Sequence, residues 1–121
     1  MDILKEIRKH LQNLGYQNIF LGILPDMPCG ALALYLDEAL ASPGDGGIRG
    51  RLRLVARSRT QDEAQLTATT AVAELDSGLN ERVLRLSDEC HCVARPVKWP
   101  VSLGTDARGR ALVEAELTLY F

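Results

Sequence analysis

The stretch WPVSLGTDARGRALVEAELTLYF, residues 99–121, decides the fold, because a polar turn in it is followed by strict alternation of apolar and polar residues. Apolar side chains occupy every second position from Ala111 to Phe121, and Glu114 and Glu116 lie between them. Period-two alternation of this length predicts a strand with one buried and one polar face. We therefore expect the sheet to be built on this strand, and we expect Phe121 to be buried.

Length and composition predict one globular domain over residues 1–121. A chain of 121 residues is close to the commonest domain size, and 46% hydrophobic with 25% charged residues is an ordinary globular composition. The formal net charge of −2 gives no general attraction to nucleic acid or to an anionic membrane. No apolar run approaches the roughly 20 residues of a membrane helix, and the odd count of three cysteines favours a reducing compartment such as a cytoplasm.

Two helices are predicted. Residues 2–15 place apolar side chains at spacings of three and four between an aspartate and a glycine that suit the two ends of a helix. Residues 60–78 begin with a capping box, in which the Thr60 hydroxyl accepts from the Glu63 amide and the Glu63 carboxylate reaches back. The apolar stripe of this second helix is mostly alanine, which favours close packing, and Gly78 is predicted to end it.

The other patterns indicate strands. They are expected at residues 16–24, 31–36, 49–59, 81–87 and 90–98, with prolines that bend the last of these and suit a sheet edge. The glycine- and proline-rich segment SPGDGG predicts a mobile loop over about residues 42–50, which is either a plain linker or an arm that orders against a partner. The element order predicts an α+β fold: a mostly antiparallel sheet of four to six strands with two helices packed on one face.

The sequence predicts no catalytic, cofactor-binding or metal-binding residue. Cys90, His91 and Cys92 are consecutive, so on a strand the imidazole points away from the two thiols, and no second pair of ligands follows at a suitable spacing. No glycine-rich phosphate loop precedes a helix. Neither histidine lies in a sequence motif of Ser-His-Asp or Cys-His catalysis. We therefore expect that the protein is not an enzyme and needs no cofactor.

Charged residues on the strands are the remaining candidates. A run of arginines follows the loop, and because acidic residues line the final strand, the two sets could meet between copies of the chain. The candidate contacts with another subunit or a partner protein are Arg49, Arg51, Arg53, Arg57, Asp45, Glu114 and Glu116. A solvated face that protects an edge strand is the alternative interpretation. Specific nucleic-acid binding is not expected, because the basic run lacks interleaved aromatic residues.

The layout as a whole resembles a known family. A short N-terminal helix (DILKEIRKHL), a hairpin with a Gly/Pro-rich tip and a capped central helix (TQDEAQLTATTAVAEL) precede a segment W-P-x-S-L-G-T-D-x-x-G-R. In that segment Asp106, Gly109 and Arg110 form a D-x-x-G-R hairpin that leads into the final strand. This arrangement resembles the tail terminator proteins of long-tailed bacteriophages, also called minor capsid or tail-to-head joining proteins.

The resemblance implies a structural protein of the virion, present in the host bacterial cytoplasm during assembly. Such proteins form a homo-hexameric ring that ends the tail tube, so the implied partners are other copies, the tail tube protein and the head-completion or connector protein. Cys90-His91-Cys92 is not part of the family pattern. Two alternatives stay open: a small α+β ligand-binding or regulatory module that dimerises through its sheet, and a minor enzyme fold with an unrecognised site.

Overall fold

The computed structural model describes residues 3–41, 48–80, 83–86 and 91–121. The elements are α1 (Ile3–Asn13), β1 (Ile19–Leu21), β2 (Ala31–Ala41), β3 (Ile48–Ser58), α2 (Gln61–Leu75), a short α3 (Ser77–Asn80), β4 (Leu84–Arg85), β5 (His91–Thr105) and β6 (Ala111–Tyr120). Six strands form one sheet in the order β1-β2-β3-β6-β5-β4. The predicted α+β class is confirmed.

The sheet is mixed, which corrects the prediction of a mostly antiparallel sheet. β1 runs parallel to β2, with Ile19 opposite Leu32, whereas the other neighbouring strands are antiparallel. The predicted first strand, residues 16–24, is reduced to three residues between Asn18 and Gly22, which both have positive φ angles (56° and 74°). These left-handed residues turn the backbone out of the extended conformation at both ends of β1.

β6 is an inner strand, as predicted, and it pairs with β3 on one side and β5 on the other. Its burial alternates along its length, and Val113, Ala115 and Leu117 are all fully buried. Phe121 follows the strand and is only partly buried against the core, so the prediction of a buried final residue is wrong.

The core joins both longer helices to the sheet. Ile7 and Leu11 of α1 share one buried cluster with the alanine stripe of α2 and with leucines of β2, β3 and β6. Ala64, Ala68 and Ala71 of α2 have no exposed surface. Small side chains in the stripe let the helix backbone approach the strands closely, in agreement with the sequence pattern.

The end of α2 differs from the prediction. The helix ends at Leu75, and Asp76 takes an extended conformation (φ −70°, ψ 103°) while its N–H still bonds to the Val72 carbonyl. Gly78 therefore lies inside α3 and does not end α2. The Ala94 amide of β5 donates to the Ser77 hydroxyl oxygen at 2.9 Å, and this contact ties the turn to the sheet.

At the start of α2, one of the two hydrogen bonds of the predicted capping box forms and the other does not. Thr60 Oγ1 accepts from the Glu63 amide at 3.2 Å, as expected. The Glu63 carboxylate does not complete the reciprocal bond, because it accepts from the Ser58 hydroxyl at 2.6 Å. The helix start is thereby joined to the end of β3.

Several strand bounds also differ from the sequence interpretation. β2 continues to residue 41, and β5 runs through both of its prolines to residue 105. Residues 48–50 of the predicted mobile loop belong to β3, whereas residues 42–47 lie outside the described part of the chain. β4 accounts for two residues of the strand expected at 81–87.

Truncation of the core tests this architecture. Leu54→Ala removes a side chain with no exposed surface and should destabilise the fold by about 2–5 kcal/mol. The matched control is Leu66→Ala, in a leucine that is 65% exposed, and it should change the free energy of unfolding by less than about 0.5 kcal/mol. Urea unfolding followed by circular dichroism measures both values, and equal effects would contradict the assigned core.

Candidate functional site on the sheet face and the edge strand

The structure brings the predicted basic and acidic residues together within one chain. In the registers of β3 and β6, Arg53 lies opposite Glu116 and Val55 lies opposite Glu114. Lys98 of β5 lies opposite Glu116 on the other side. Residues that are paired across strands share a face of the sheet, so this second face, which lies opposite the main core, carries a row of alternating charges.

Arg53 is the most engaged member of this row. Its Nε lies 3.4 Å from Asp37 Oδ2, and its guanidinium carbon lies 4.4 Å from the centre of the Tyr35 ring. About a third of each charged side chain is exposed, so the ion pair contributes at most about 1 kcal/mol. Within the described residues, no ion pair of 4 Å or less includes Glu114 or Glu116, so both carboxylates are available to a partner.

Arg57 departs from the predicted wet basic face. Its residue is only 4% exposed. Its Nε donates to the Cys29 carbonyl at 3.0 Å and its Nη2 donates to the Pro28 carbonyl at 2.7 Å. Arg57 therefore holds the segment before β2 against the second face and cannot act as a surface contact.

A charged network fixes the same segment from the hairpin between β5 and β6. Arg110 Nη2 lies 2.9 Å from Asp26 Oδ1, and Arg110 Nε lies 2.8 Å from Asp106 Oδ2. Arg108 Nη2 lies 2.8 Å from Asp26 Oδ2. Gly109 supplies the left-handed residue of the turn with a φ of 76°. The D-x-x-G-R motif thus forms the hairpin and also binds a distant loop.

Asp106 is the acceptor at the centre of this turn. Burial raises the pKa of the Asp106 carboxyl, but the backbone amides of Arg110 and Arg108 and the Arg110 guanidinium all donate hydrogen bonds to it. Together these bonds outweigh burial and hold the pKa below its ordinary value of 3.8. The turn is therefore best stabilised when Asp106 is ionised.

Four exposed apolar side chains lie along β5. Val97, Trp99, Val101 and Leu103 are 60%, 57%, 42% and 47% exposed. On the side away from β6, and among the residues that the structure describes, β4 covers β5 only at residues 91 and 92. We call Val97, Trp99, Val101 and Leu103 the apolar edge row. All four fall within seven residues of β5, and Val101 lies opposite Glu114 of β6. Clustered exposed apolar groups are typical of interaction surfaces.

The backbone of β5 is poorly suited to the addition of another strand. Pro96 and Pro100 have no N–H, the Ala94 amide is bonded to Ser77, and the Pro100 carbonyl accepts from Gln65 at 3.1 Å. The pairing with β6 is also interrupted by three shifts of register. Prolines and bulges protect edge strands from backbone pairing, so a partner of β5 would contact its side chains.

The remaining predicted contact residues are exposed or lie outside the described part of the chain. Arg49 and Arg51 are exposed. Asp45 and Cys90 lie outside the described residues. His91 is exposed and Cys92 is buried, which confirms the predicted alternation. In the described part of the chain no group of His, Cys, Asp and Glu side chains could hold a metal ion.

The apolar edge row is not among the residues that the sequence predicts as contacts. The signal was present, because Val97, Trp99, Val101 and Leu103 alternate with polar residues and prolines. It was hidden because the prolines suggested that the strand ended there. None of the described helices is long and apolar enough to cross a membrane.

No family model matches the chain, and no curated protein matches it significantly.

The hairpin network predicts a dependence of stability on acid. The stabilisation due to ionised Asp106 is complete above its ordinary pKa of 3.8 and is lost as the pH falls through the lower pKa of the folded state. Asp106→Asn should therefore lower the melting temperature at pH 6, and its difference from the unaltered protein should shrink at a pH well below 3.8. Thermal unfolding at the two pH values measures this, and an equal difference at both would contradict the role of the charge.

Proposed function

We propose that the protein is a structural subunit that joins copies of itself head-to-tail into a ring, and that this ring ends a phage tail tube and joins it to the head connector. The observation that carries the proposal is the apolar edge row on β5. Its four side chains are 42–60% exposed. Burying one aromatic side chain removes roughly 150–250 Å² from water, so an interface centred on Trp99 has a strong driving force.

The positions of the two sheet edges favour a head-to-tail contact. In the described ranges of the chain, β4 covers only the start of β5, and at the opposite edge β1 covers only Leu32–Leu34 of β2. Residues 35–41 of β2 therefore have no outer strand within the described part of the chain. One protomer thus presents two different open edges, and contacts between unlike surfaces generate rings when the rotation closes.

Charges on the second face supply complementarity around such a contact. Arg51 and Lys98 lie on this face together with Glu114 and Glu116, and in the described structure none of these four side chains is in an ion pair. Rim charges of both signs steer two copies into register more than they add affinity. We also propose that α1 and α2 cover the same face of the sheet, which leaves the charged face to the assembly.

The partners follow from this role. The ring would bind the tail tube protein on one side and the head-completion or connector protein on the other, in the virion and, during assembly, in the host bacterial cytoplasm. Support comes from the resemblance in the D-x-x-G-R hairpin and from the open edges. The proposal assigns no catalytic residue and no cofactor.

A second candidate function has an observation of its own. A cavity of about 380 Å³ is lined by residues of α2, of the start of β2 and of the end of β3. Small-molecule sites commonly occupy about 300–1,000 Å³. This cavity favours the alternative of a small ligand-binding module that dimerises through its sheet.

Light scattering and negative-stain microscopy, on the protein alone and mixed with tail tubes, test the ring. We expect six-fold rings or caps at tube ends, and we expect Trp99→Lys with Val101→Lys to abolish them while the variant stays folded. Leu14→Lys is the matched control, because Leu14 is also exposed (46%) but lies far along the chain from the apolar edge row. A stable dimer that ignores tubes, or normal rings from the double variant, would refute the proposal.

Charge reversal tests the second face separately. Arg51→Glu with Lys98→Glu should weaken association by about 2- to 30-fold at low salt and by less in 0.5 M NaCl, because each exposed pair contributes up to about 1 kcal/mol. Arg59→Glu is the control, since Arg59 is exposed beyond the end of β3. Arg57 is unsuitable for reversal because it is buried. Equal effects of the control and the double variant would show that only net charge matters.

A further inference from the structure

Trp99 is the only tryptophan of the chain, and it is 57% exposed on a strand that is held in place. The carbonyl of the next residue, Pro100, accepts from Gln65 Nε2 at 3.1 Å. The Ser102 hydroxyl donates to Gln61 Oε1 at 3.1 Å. These two bonds tie β5 to α2 beside the apolar edge row. An exposed tryptophan on a fixed strand is suited to anchor an interface, because tryptophan is enriched at binding hot spots.

The cavity of about 380 Å³ lies on the other side of the protomer. Leu66, Thr67 and Thr70 of α2 line it together with the start of β2, and Trp99 is not part of the lining. Two strands, β3 and β6, separate β2 from β5, so the two outer strands are about 14 Å apart at roughly 4.8 Å per neighbour. The tryptophan and the cavity are therefore unlike surfaces on opposite sides, as a head-to-tail contact requires.

The apolar edge row and the cavity also lie at a similar level along the strands. In the registers of β5, β6 and β3, Val101 lies in line with Glu114 and Val55. Val55 lies opposite Ala33, which is next to the cavity residue Leu32. A contact between surfaces at one level can repeat around an axis with little rise, which favours a closed ring over an open helix.

The lining of the cavity suits an uncharged aromatic group. Among the described residues that line it, Arg57 alone is charged. Strand alternation and the bonds to Pro28 and Cys29 place its guanidinium on the second face, away from the cavity. Leu32 and the exposed Leu66 supply apolar surface. Cavities of about 300–1,000 Å³ hold drug-sized ligands, and an indole ring is smaller than these, so it fits.

The hydroxyls with known partners in the lining can accept a hydrogen bond but not donate one. Ser58 donates to the Glu63 carboxylate at 2.6 Å, and Thr70 donates to the Leu66 carbonyl at 2.8 Å. Each hydroxyl has a single hydrogen, so only acceptor lone pairs remain for a ligand. The indole N–H is a donor only and needs an acceptor when it is buried. The polar and the apolar parts of the lining thus both match a tryptophan side chain.

We infer that Trp99 of each protomer inserts into the cavity of the next protomer, with its ring against Leu66 and its N–H on the hydroxyl of Ser58 or Thr70. The inference rests on the proposed ring and deepens it, because it names the surface that receives the apolar edge row. It joins an exposed tryptophan and an open cavity, which are separate features of the single protomer, in one contact.

The fluorescence of the unaltered chain reports this contact directly, because Trp99 is the only tryptophan. We expect the emission to move to shorter wavelength as the chain assembles, at high concentration or on tail tubes, and to return on dilution. Trp99→Ala should weaken association at least about 30-fold in light scattering, as expected for a tryptophan at the centre of an interface. Rings with unshifted emission would overturn this contact and leave the ring itself standing.

Mixing two variants tests the direction of the contact. Thr70→Glu places a charge in the cavity but keeps the tryptophan, whereas Trp99→Ala removes the tryptophan but keeps the cavity. Each variant alone should stay folded by circular dichroism and form no rings. A 1:1 mixture should form dimers with shifted emission and stop there, because both outer surfaces of such a dimer are altered.

Thr69→Glu is the matched control for the blocked cavity. It adds the same charge at the neighbouring exposed position, which does not line the cavity, and a carboxylate there can still accept from Gln65. The control should assemble with an affinity within about threefold of the unaltered chain, as expected for an exposed charge.

The failure of the contact and the failure of the ring give different results. Normal rings from Thr70→Glu, or a mixture that stays monomeric, would refute the contact and leave the cavity to the small ligand of the second candidate function. A closed dimer of the unaltered chain with shifted emission would support the contact and refute the ring. Emission and mass that change neither with concentration nor with tubes would refute both.

Discussion

The pairing of β6 with β3 is the constraint on which the rest of the structure depends. The two strands match continuously from Arg49 opposite Tyr120 to Ser58 opposite Ala111, without a shift of register. Because side chains alternate with a period of two, the pattern of β6 fixes which residues of β3 face the core and which face the other side. A shift by one residue would place Leu54 among the charges and Arg53 in the core.

This regularity explains why the sequence predicts the centre of the fold well. The final strand, the α+β class and the start of α2 depend on local patterns, and the structure confirms them. The parallel pairing of β1 with β2 could not be predicted, because it depends on the packing of the whole chain and not on the three residues of β1. Gly78 misled the prediction for a similar reason: the end of α2 is set by the contact of Ser77 with β5, which is distant in sequence.

The candidate site was predictable only in part, and Arg53 and Arg57 show why. The two arginines share a face and differ by four positions, so local patterning treats them alike. About a third of the Arg53 side chain is exposed, whereas Arg57 is buried, because the segment before β2 accepts hydrogen bonds from Arg57 at the end of β3. That segment is placed by Asp26, whose partners Arg108 and Arg110 lie more than 80 residues away. Burial that depends on such a contact leaves no signal in the sequence near Arg57.

The same long-range contacts also fix the end of β3. Two backbone carbonyls accept from the Arg57 guanidinium and hold its plane when the chain folds. The segment that carries those carbonyls is itself fixed by the network of Asp26 with Arg108 and Arg110. The burial of Arg57 therefore depends on the D-x-x-G-R hairpin, because the hairpin, the segment before β2 and the end of β3 form one connected set of contacts.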